Sequence, residues 1–215
     1  MFNYGEDHLT SSKALQLLKG ELVGNVTGQT ASKVEECNAK VLSIAKGNHA
    51  VYGINTGFGP LCNTKIDSKE TEHLQKSLLL SHSVGVGKPI SKDLSKLMLI
   101  LKAHSLCKGF SGISMEILDR ILWHIQEDAI PVVPEQGSVG ASGDLAPLSH
   151  LFLPLLGEGY LHFEGKVLPT REVLEAKNLA PISMHPKSGL ALINGTQFIL
   201  AHAVFIVDRL HSLYH

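Results

Sequence analysis

The chain has 215 residues, long enough to bury a sizeable core, and 44% of them are hydrophobic, which excludes an intrinsically disordered protein. Its 19 basic and 20 acidic residues nearly cancel, so no charge excess favours a nucleic acid or an anionic membrane as partner. Three cysteines without CxxC spacing exclude a zinc ribbon and a disulfide framework, and they favour a reducing compartment.

The first ten residues are polar and acidic, unlike a signal peptide. No uninterrupted apolar run approaches the roughly 20 residues that cross a bilayer. We therefore expect a cytoplasmic protein with no membrane and no nucleic acid among its partners.

Helical spacing, with Ser or Thr at the start and often Gly at the end, recurs along most of the chain. A glycine-broken stretch, residues 51–60, predicts a loop or a small β element, and residues 159–169 predict a hairpin that turns at Glu164–Gly165. The predicted helices in this part of the chain are 11–20, 30–47, 68–85, 91–109 and 114–128.

Residues 188–215 predict one long helix that is apolar on nearly every side in its middle, which is typical of a helix inside a larger bundle. No Gly, Asn or Pro ends it, so we expect residues 1–215 to be the N-terminal portion of a longer protein, stopping within this core helix. His211 and His215 have a spacing that could bind a metal, but without a third ligand we predict no metal site.

The stretch SVGASGDLAPLSH, residues 138–150, concentrates the unusual features of the chain. A phosphate-binding loop would need a nearby cation, and no Lys or Arg lies between Arg120 and Lys166. A serine hydrolase centred on Ser142 would need GxSxG and a triad with Asp144 and His150, but Asp144 stands where that pattern has Gly. An ordinary interpretation is that Ser142 or Asp144 caps the following helix.

The same stretch allows a third chemistry, which uses the backbone. The amide nitrogen of Gly143 can attack the carbonyl carbon of Ala141 in a tight turn, closing a five-membered ring with loss of water. Ser142, at the centre, can then lose its hydroxyl as a second water and become an exocyclic methylidene. Gly140 gives this turn the conformational freedom it needs.

Residues 137–150, GSVGASGDLAPLSH, resemble the signature of the histidine/phenylalanine ammonia-lyase family, in which Ala-Ser-Gly forms 4-methylidene-imidazol-5-one (MIO) autocatalytically. Three further segments are similar to family motifs and follow in family order: the tyrosine loop in 51–59, the substrate-selectivity segment in 74–87 and the asparagine motif in 189–197. The resemblance implies a mainly α fold, a helical bundle of the aspartase/fumarase-like type with short β elements, of which residues 1–215 would be the MIO-bearing part.

The resemblance also implies the catalytic roles. The MIO of Ala141, Ser142 and Gly143 would capture the substrate amine, and no external cofactor would be needed. Asp144 would support ring formation through orientation or hydrogen bonding.

Three more residues receive roles from the family motifs. Tyr52 would remove a proton from the substrate β-carbon, and Gly59 would place its backbone against the reaction centre. Asn194 would hydrogen-bond near the MIO or the substrate carboxylate.

The pair Ser81–His82 is similar to histidine-type members, because an imidazole at His82 can hydrogen-bond a substrate imidazole. This implies conversion of L-histidine to trans-urocanate and ammonia, the first step of histidine degradation. Two positions depart from the family pattern: residues 102–104 read Lys-Ala-His where many members have Arg-x-Asn, and Gln136 stands where Lys is frequent.

Family members are much longer and form homotetramers whose active sites combine several subunits, so we expect the 215-residue chain alone to be inactive or nearly so. Three alternatives stay open. One is a tyrosine or phenylalanine ammonia-lyase or an aminomutase with the same MIO. The others are a non-catalytic helical assembly module and the serine hydrolase.

Overall fold

A computed structural model describes residues 1–58, 65–140 and 143–214 of the chain. Among the predicted site residues, Gly59, Ala141 and Ser142 therefore lie outside the described residues. The described helices are α1 Ser11–Leu18, α2 Gly28–Lys46, α3 Ser68–His82, α4 Lys92–Leu106, α5 Met115–Gln126, α6 Leu145–Phe152, α7 Thr170–Ala176, α8 Ser188–Ile193 and α9 Gln197–Tyr214, with a 3₁₀ turn at Leu153–Leu156. The mainly α prediction is confirmed.

Side-chain caps explain where several helices begin. Ser91 and Ser114, the predicted first residues of two helices, accept hydrogen bonds from backbone N–H groups three residues further on, at 3.2 and 3.4 Å. The helices α1 and α2 start in the same way, but their caps are Thr10 and Thr27. Gly47 ends α2, as the sequence predicts.

The strands are short and form three small sheets. They are β1 Phe2–Asn3, β2 Gly24–Asn25, β3 Val86–Pro89, β4 Ile130–Pro131, β5 Pro134–Gln136, β6 Tyr160–Phe163 and β7 Lys166–Pro169. β1 pairs with β2 in parallel, β3 with β5 in antiparallel fashion, and β4, β6 and β7 form an antiparallel sheet. The predicted hairpin is confirmed as β6–β7, and its two turn residues, Glu164 and Gly165, have φ angles of 48° and 75°.

The C-terminal segment is two helices, so the prediction of one long helix is wrong. α8 ends at Ile193 and α9 begins at Gln197, and the intervening Asn194, Gly195 and Thr196 are not helical. We call residues 194–196 the α8–α9 link. Asn, Gly and Thr have low helix propensity, but the helix breaks here mainly because the link is hydrogen-bonded to distant parts of the chain.

By length and composition, Ser188–Tyr214 would pass as a membrane span, with a mean hydropathy of 1.8. The interruption at 194–196 and the burial of α8 in the protein interior are typical of core helices, which satisfy the same criterion. α9 buries one face, through Phe198, Ala201 and Val204. Its other faces expose apolar side chains, namely Ile199, Leu200, Ile206, Val207, Leu210 and Leu213.

The core is organised around α4, whose four consecutive residues 97–100 are buried on all sides of the helix. α4 packs against α1, α5, α9 and β4. A second group of helices, α3, α6 and α8, pack against one another. As a result, the end of α3, the start of α6 and the end of α8 belong to one packed unit, and each of these helix ends carries a predicted site residue.

The close packing of α8 on α3 gives a testable prediction. A Cβ at Gly189 would overlap the backbone carbonyl oxygen of Gln75, which cannot move without disturbing α3. Gly189→Ala is expected to lower the free energy of unfolding by about 1–3 kcal/mol, the usual cost of overpacking. Gly28→Ala is the matched control, because Gly28 lies in the first turn of α2 with open space around it. Urea denaturation of both variants measures the difference, and equal effects would contradict the packing described here.

Candidate active site

Gly143, the last residue of the predicted ring-forming tripeptide, lies close to Gly140, the residue before the tripeptide. The Gly143 N–H donates to the Gly140 carbonyl oxygen at 3.3 Å, and φ is 79° at Gly140 and 86° at Gly143, values that favour glycine. A Cβ at Gly143 would also overlap the carbonyl oxygen of Gly195. Only a residue without a side chain permits this contact between two backbones.

Asp144 occupies the position just before α6, but its carboxylate makes no hydrogen bond to the N-terminus of that helix. The carboxylate instead accepts from the Ser138 hydroxyl at 2.7 Å and from the Ile199 N–H, in the first turn of α9, at 3.1 Å. The interpretation of Asp144 as the cap of α6 is therefore wrong, because its side chain caps α9. The side chain is fully buried, and both of its oxygens are hydrogen-bonded.

The backbone of Asp144 makes a second connection to the same region. Its N–H donates to the Gly195 carbonyl oxygen at 2.8 Å. Asp144 therefore contacts both the α8–α9 link and α9. These contacts bring the tripeptide signature and the asparagine motif together.

Asn194 is the residue that follows α8. Its N–H donates to the Leu190 carbonyl at 3.0 Å, and its own carbonyl accepts from the Lys102 ammonium at 2.8 Å. The Asn194 side chain is exposed, and among the described residues it has no recorded hydrogen-bond partner. It is thus available to a bound molecule one residue away from the Gly195–Gly143 contact.

Lys102 lies on α4, with only 2% of its surface exposed. Burial lowers the pKa of Lys102 to about 7. In the sequence, Lys102 stands out only because many family members have Arg at this position. A charged residue inside an apolar helical stretch is the sequence signal that could have identified it as important.

Tyr52 lies on the loop that precedes residue 59, and more than half of its surface is exposed. Its ring packs edge-on against Phe58, with 5.9 Å between the ring centroids. Gly53, with φ of 72°, lies directly against the Leu190 side chain of α8. The Asn55 side chain braces the loop, accepting from the Val51 N–H at 2.8 Å. The tyrosine loop thus packs on α8 one turn before Asn194.

His82 is the last residue of α3 and is half-buried. Its Nδ1 lies 2.9 Å from the Leu78 carbonyl oxygen, which can only accept, so Nδ1 carries the hydrogen. In neutral His82 the other nitrogen, Nε2, is therefore an acceptor. The Ser81 hydroxyl, 3.1 Å from Nδ1, also lies within reach of the same carbonyl.

His150 connects the selectivity segment to the tripeptide region. Its Nε2 accepts from the Gly85 N–H at 3.0 Å, and burial lowers its pKa, which favours this neutral, accepting form. The adjoining strands β3 and β5 are paired, and β5 leads into the tripeptide. Because His150 binds Gly85 while the Asp144 carboxylate binds Ser138 and Ile199, the described contacts do not pair Asp144 with His150 as a hydrolase triad requires.

Some of the predicted site residues are in direct contact, and others are connected only through the packing of their segments. Gly143 and Asp144 contact the link that begins with Asn194, whereas Tyr52 and His82 are connected to it through the packing of their segments on α8. Among the described residues, no hydrogen bond joins the side chains of Tyr52, His82 and Asn194, and no group of three His, Cys, Asp or Glu residues could hold a metal ion. The sequence pattern did not predict the roles of Ser138 and Gly195, nor that of Gln75, whose side-chain oxygen accepts from the Leu190 N–H of α8 at 3.1 Å.

The sequence profile of aromatic amino acid lyases matches residues 9–215. A histidine ammonia-lyase of Myxococcus xanthus is 42% identical over 207 residues, covering 96% of this chain and 41% of that protein. Among solved structures, histidine ammonia-lyase from Trypanosoma cruzi has a TM-score of 0.86 at 36% identity, covering 97% of this chain and 40% of that one. Tyrosine aminomutase from Streptomyces globisporus has a TM-score of 0.87 at 30% identity, with 97% and 39% covered.

The chain therefore spans about two fifths of the length of these relatives. The match to the family profile extends over nearly all of the chain, and the mainly helical architecture agrees with it. The chain belongs to the aromatic amino acid lyase family.

Proposed function

We propose that the whole protein is a histidine ammonia-lyase, which eliminates ammonia from L-histidine to give trans-urocanate. The observation that carries the proposal is the hydrogen bond from the Asp144 N–H to the Gly195 carbonyl. It holds the end of Ala-Ser-Gly against the asparagine motif, as a shared active site requires. The histidine ammonia-lyase relative at 42% identity supports the same assignment.

The described residues fit an MIO group. Gly143 is held against Gly195 where no side chain could be accommodated, and the neighbouring Asp144 carboxylate is fixed from two sides. We propose that Gly143 N bonds to the Ala141 carbonyl carbon, whose oxygen leaves as water with the Gly143 and Ser142 amide hydrogens, and that Ser142 then loses its α-hydrogen and hydroxyl as a second water. The MIO supplies an electrophile for the substrate amino group, so no external cofactor is proposed.

Three further residues are proposed to act on the substrate. Tyr52, on an exposed part of its loop, acts as its phenolate, which removes the proton from the β-carbon and becomes the phenol. The exposed Asn194 amide hydrogen-bonds the substrate near the MIO. Gly59 lies outside the described residues, and the family motif alone supports a role for its backbone against the reaction centre.

His82 is proposed to select the substrate. With the hydrogen on Nδ1, its Nε2 is able to accept a hydrogen bond, and an imidazole N–H of histidine is a suitable donor, whereas a phenyl ring offers none. TM-scores of 0.86 and 0.87 do not separate the histidine ammonia-lyase from the tyrosine aminomutase, so the fold does not discriminate between them. The side chain at position 82 is the feature that favours histidine.

The assembly and location are proposals of the same kind. We propose a homotetramer in the cytoplasm. The apolar side chains exposed along α9 support burial of that helix in a larger assembly.

Ring formation predicts a defined change in mass. The whole protein is expected to lose two waters relative to its encoded mass, mapped to the peptide with residues 141–143, because two dehydrations complete the MIO. Ser142→Ala cannot form the methylidene and should lose one water at most. Ser12→Ala, at an exposed serine of α1, should keep the loss of both. Intact-mass and peptide mass spectrometry measure this, and an unmodified parent protein would contradict the proposal.

Asp144→Asn tests the buried carboxylate. Ser138 and Ile199 donate to different oxygens of the carboxylate, and the amide replaces one of these acceptors with an NH2 donor, so the two charge-assisted hydrogen bonds cannot both be kept. We expect the free energy of unfolding to fall by about 1.5–3 kcal/mol, the range for a hydrogen bond to a charged group. Asp208→Asn, at an exposed position of α9, is the control. Chemical denaturation compares the two, and equal stability of both variants would argue against the connecting role of Asp144.

His82→Leu tests substrate choice in the whole protein. Removing the acceptor should reduce kcat/KM for L-histidine by at least about tenfold, which corresponds to one net hydrogen bond, and should improve turnover of phenylalanine or tyrosine relative to histidine. His73→Leu changes an exposed histidine of the same helix and should leave the preference unaltered. Urocanate absorbance and a substrate panel provide the measurement. Unchanged histidine preference in His82→Leu would eliminate His82 as the selector.

A further inference from the structure

Lys102 is a buried amine in the apolar centre of the protein, in a stretch of α4 whose neighbouring residues 97–101 and 103 are all buried and apolar. Burying such a group costs free energy unless it is hydrogen-bonded. Its recorded partner among the described residues is the Asn194 carbonyl oxygen, 92 positions further along the chain, at 2.8 Å. The bond therefore connects the central core helix to the α8–α9 link.

The link is the point at which helical hydrogen bonding is replaced by contacts with other elements. In a continuous α-helix, the Gly195 carbonyl would accept from the Ile199 N–H. Here the Gly195 carbonyl accepts from the Asp144 N–H, and the Ile199 N–H donates to the Asp144 carboxylate. One residue earlier, the Asn194 carbonyl accepts from Lys102 in place of a helical donor.

We infer that Lys102 is a positioning residue for the candidate active site. By holding the Asn194 carbonyl, it keeps residues 194–196 out of the helix and leaves the Gly195 carbonyl free to bind Asp144 and to contact Gly143. The effect on ring closure rests on the proposed function, whereas the effect on the link does not.

The hydrogen bond from Lys102 to the Asn194 carbonyl does not depend on the charge of the amine. Burial lowers the pKa of Lys102 to about 7, and a neutral amine still has N–H groups to donate. An arginine at this position, as many family members have, also brings several donors to the same place. A methionine keeps the length and apolar character of the side chain and removes every donor.

Hydrogen exchange tests the positioning role directly. In Lys102→Met, the amides of Asp144 and Ile199 should exchange about tenfold faster, the factor that corresponds to one net hydrogen bond. The amides of α5 should be unaffected. Lys102→Arg should restore protection, and Lys108→Met, at an exposed lysine just beyond α4, should leave it unchanged. The unfolding midpoint of Lys102→Met should be maintained, because removing a buried charge offsets the lost hydrogen bond.

The rate at which newly folded protein loses two waters provides a second measurement. Lys102→Met should lower this rate by about tenfold, because the closed backbone arrangement is populated about tenfold less, and Lys102→Arg should restore it. If Lys102→Met does not fold, Lys102→Leu takes its place, because leucine is also apolar and has no donor for the Asn194 carbonyl. Wild-type protection at both amides in a folded donor-free variant would overturn the inference. A parent protein without water loss would contradict the proposed function, while the exchange rates would still decide the role of Lys102.

Discussion

The arrangement of the site depends on one exchange of hydrogen bonds around Asp144. Its N–H donates to the Gly195 carbonyl, and its carboxylate accepts from the Ile199 N–H. In an uninterrupted helix, this carbonyl and this N–H would bond to each other. The interruption therefore leaves neither group without a hydrogen-bond partner, so the helix can break within an apolar segment without the cost of unpaired backbone groups. The same exchange fixes the backbone beside the Ala-Ser-Gly tripeptide.

Distant segments are held around this interruption by packing between rigid elements. α3, α6 and α8 pack together, so the selectivity segment and the tripeptide signature stay close to the link. The glycines at 53, 143 and 189 each lie where a Cβ would strike a neighbouring segment, which lets these elements approach more closely than side chains would allow. The loop of Tyr52 contacts α8 through one of these glycines.

The sequence predicted those helix starts and turns that are determined by neighbouring residues in the chain. Ser91 and Ser114 cap the helices that they were expected to start, and Glu164–Gly165 forms the turn of the hairpin. The helix break was missed because the apolar pattern continues across residues 194–196, and the groups that stabilise the break come from Asp144 and Lys102, 55 and 92 positions away from their partners. Asp144 was assigned to the wrong helix for the same reason: it precedes α6 in sequence and caps α9 in space.

A histidine ammonia-lyase and a tyrosine aminomutase match this chain with nearly equal TM-scores, so the backbone fold of these residues does not distinguish the two. The proposed choice of substrate therefore depends on side chains at the ends of the packed helices. His82 is suited to such a role because its own helix determines its tautomer: the Leu78 carbonyl holds the hydrogen on Nδ1 and leaves Nε2 as an acceptor. A selector whose hydrogen-bonding direction is set before a ligand arrives needs little reorganisation on binding, and it disfavours ligands that offer no donor.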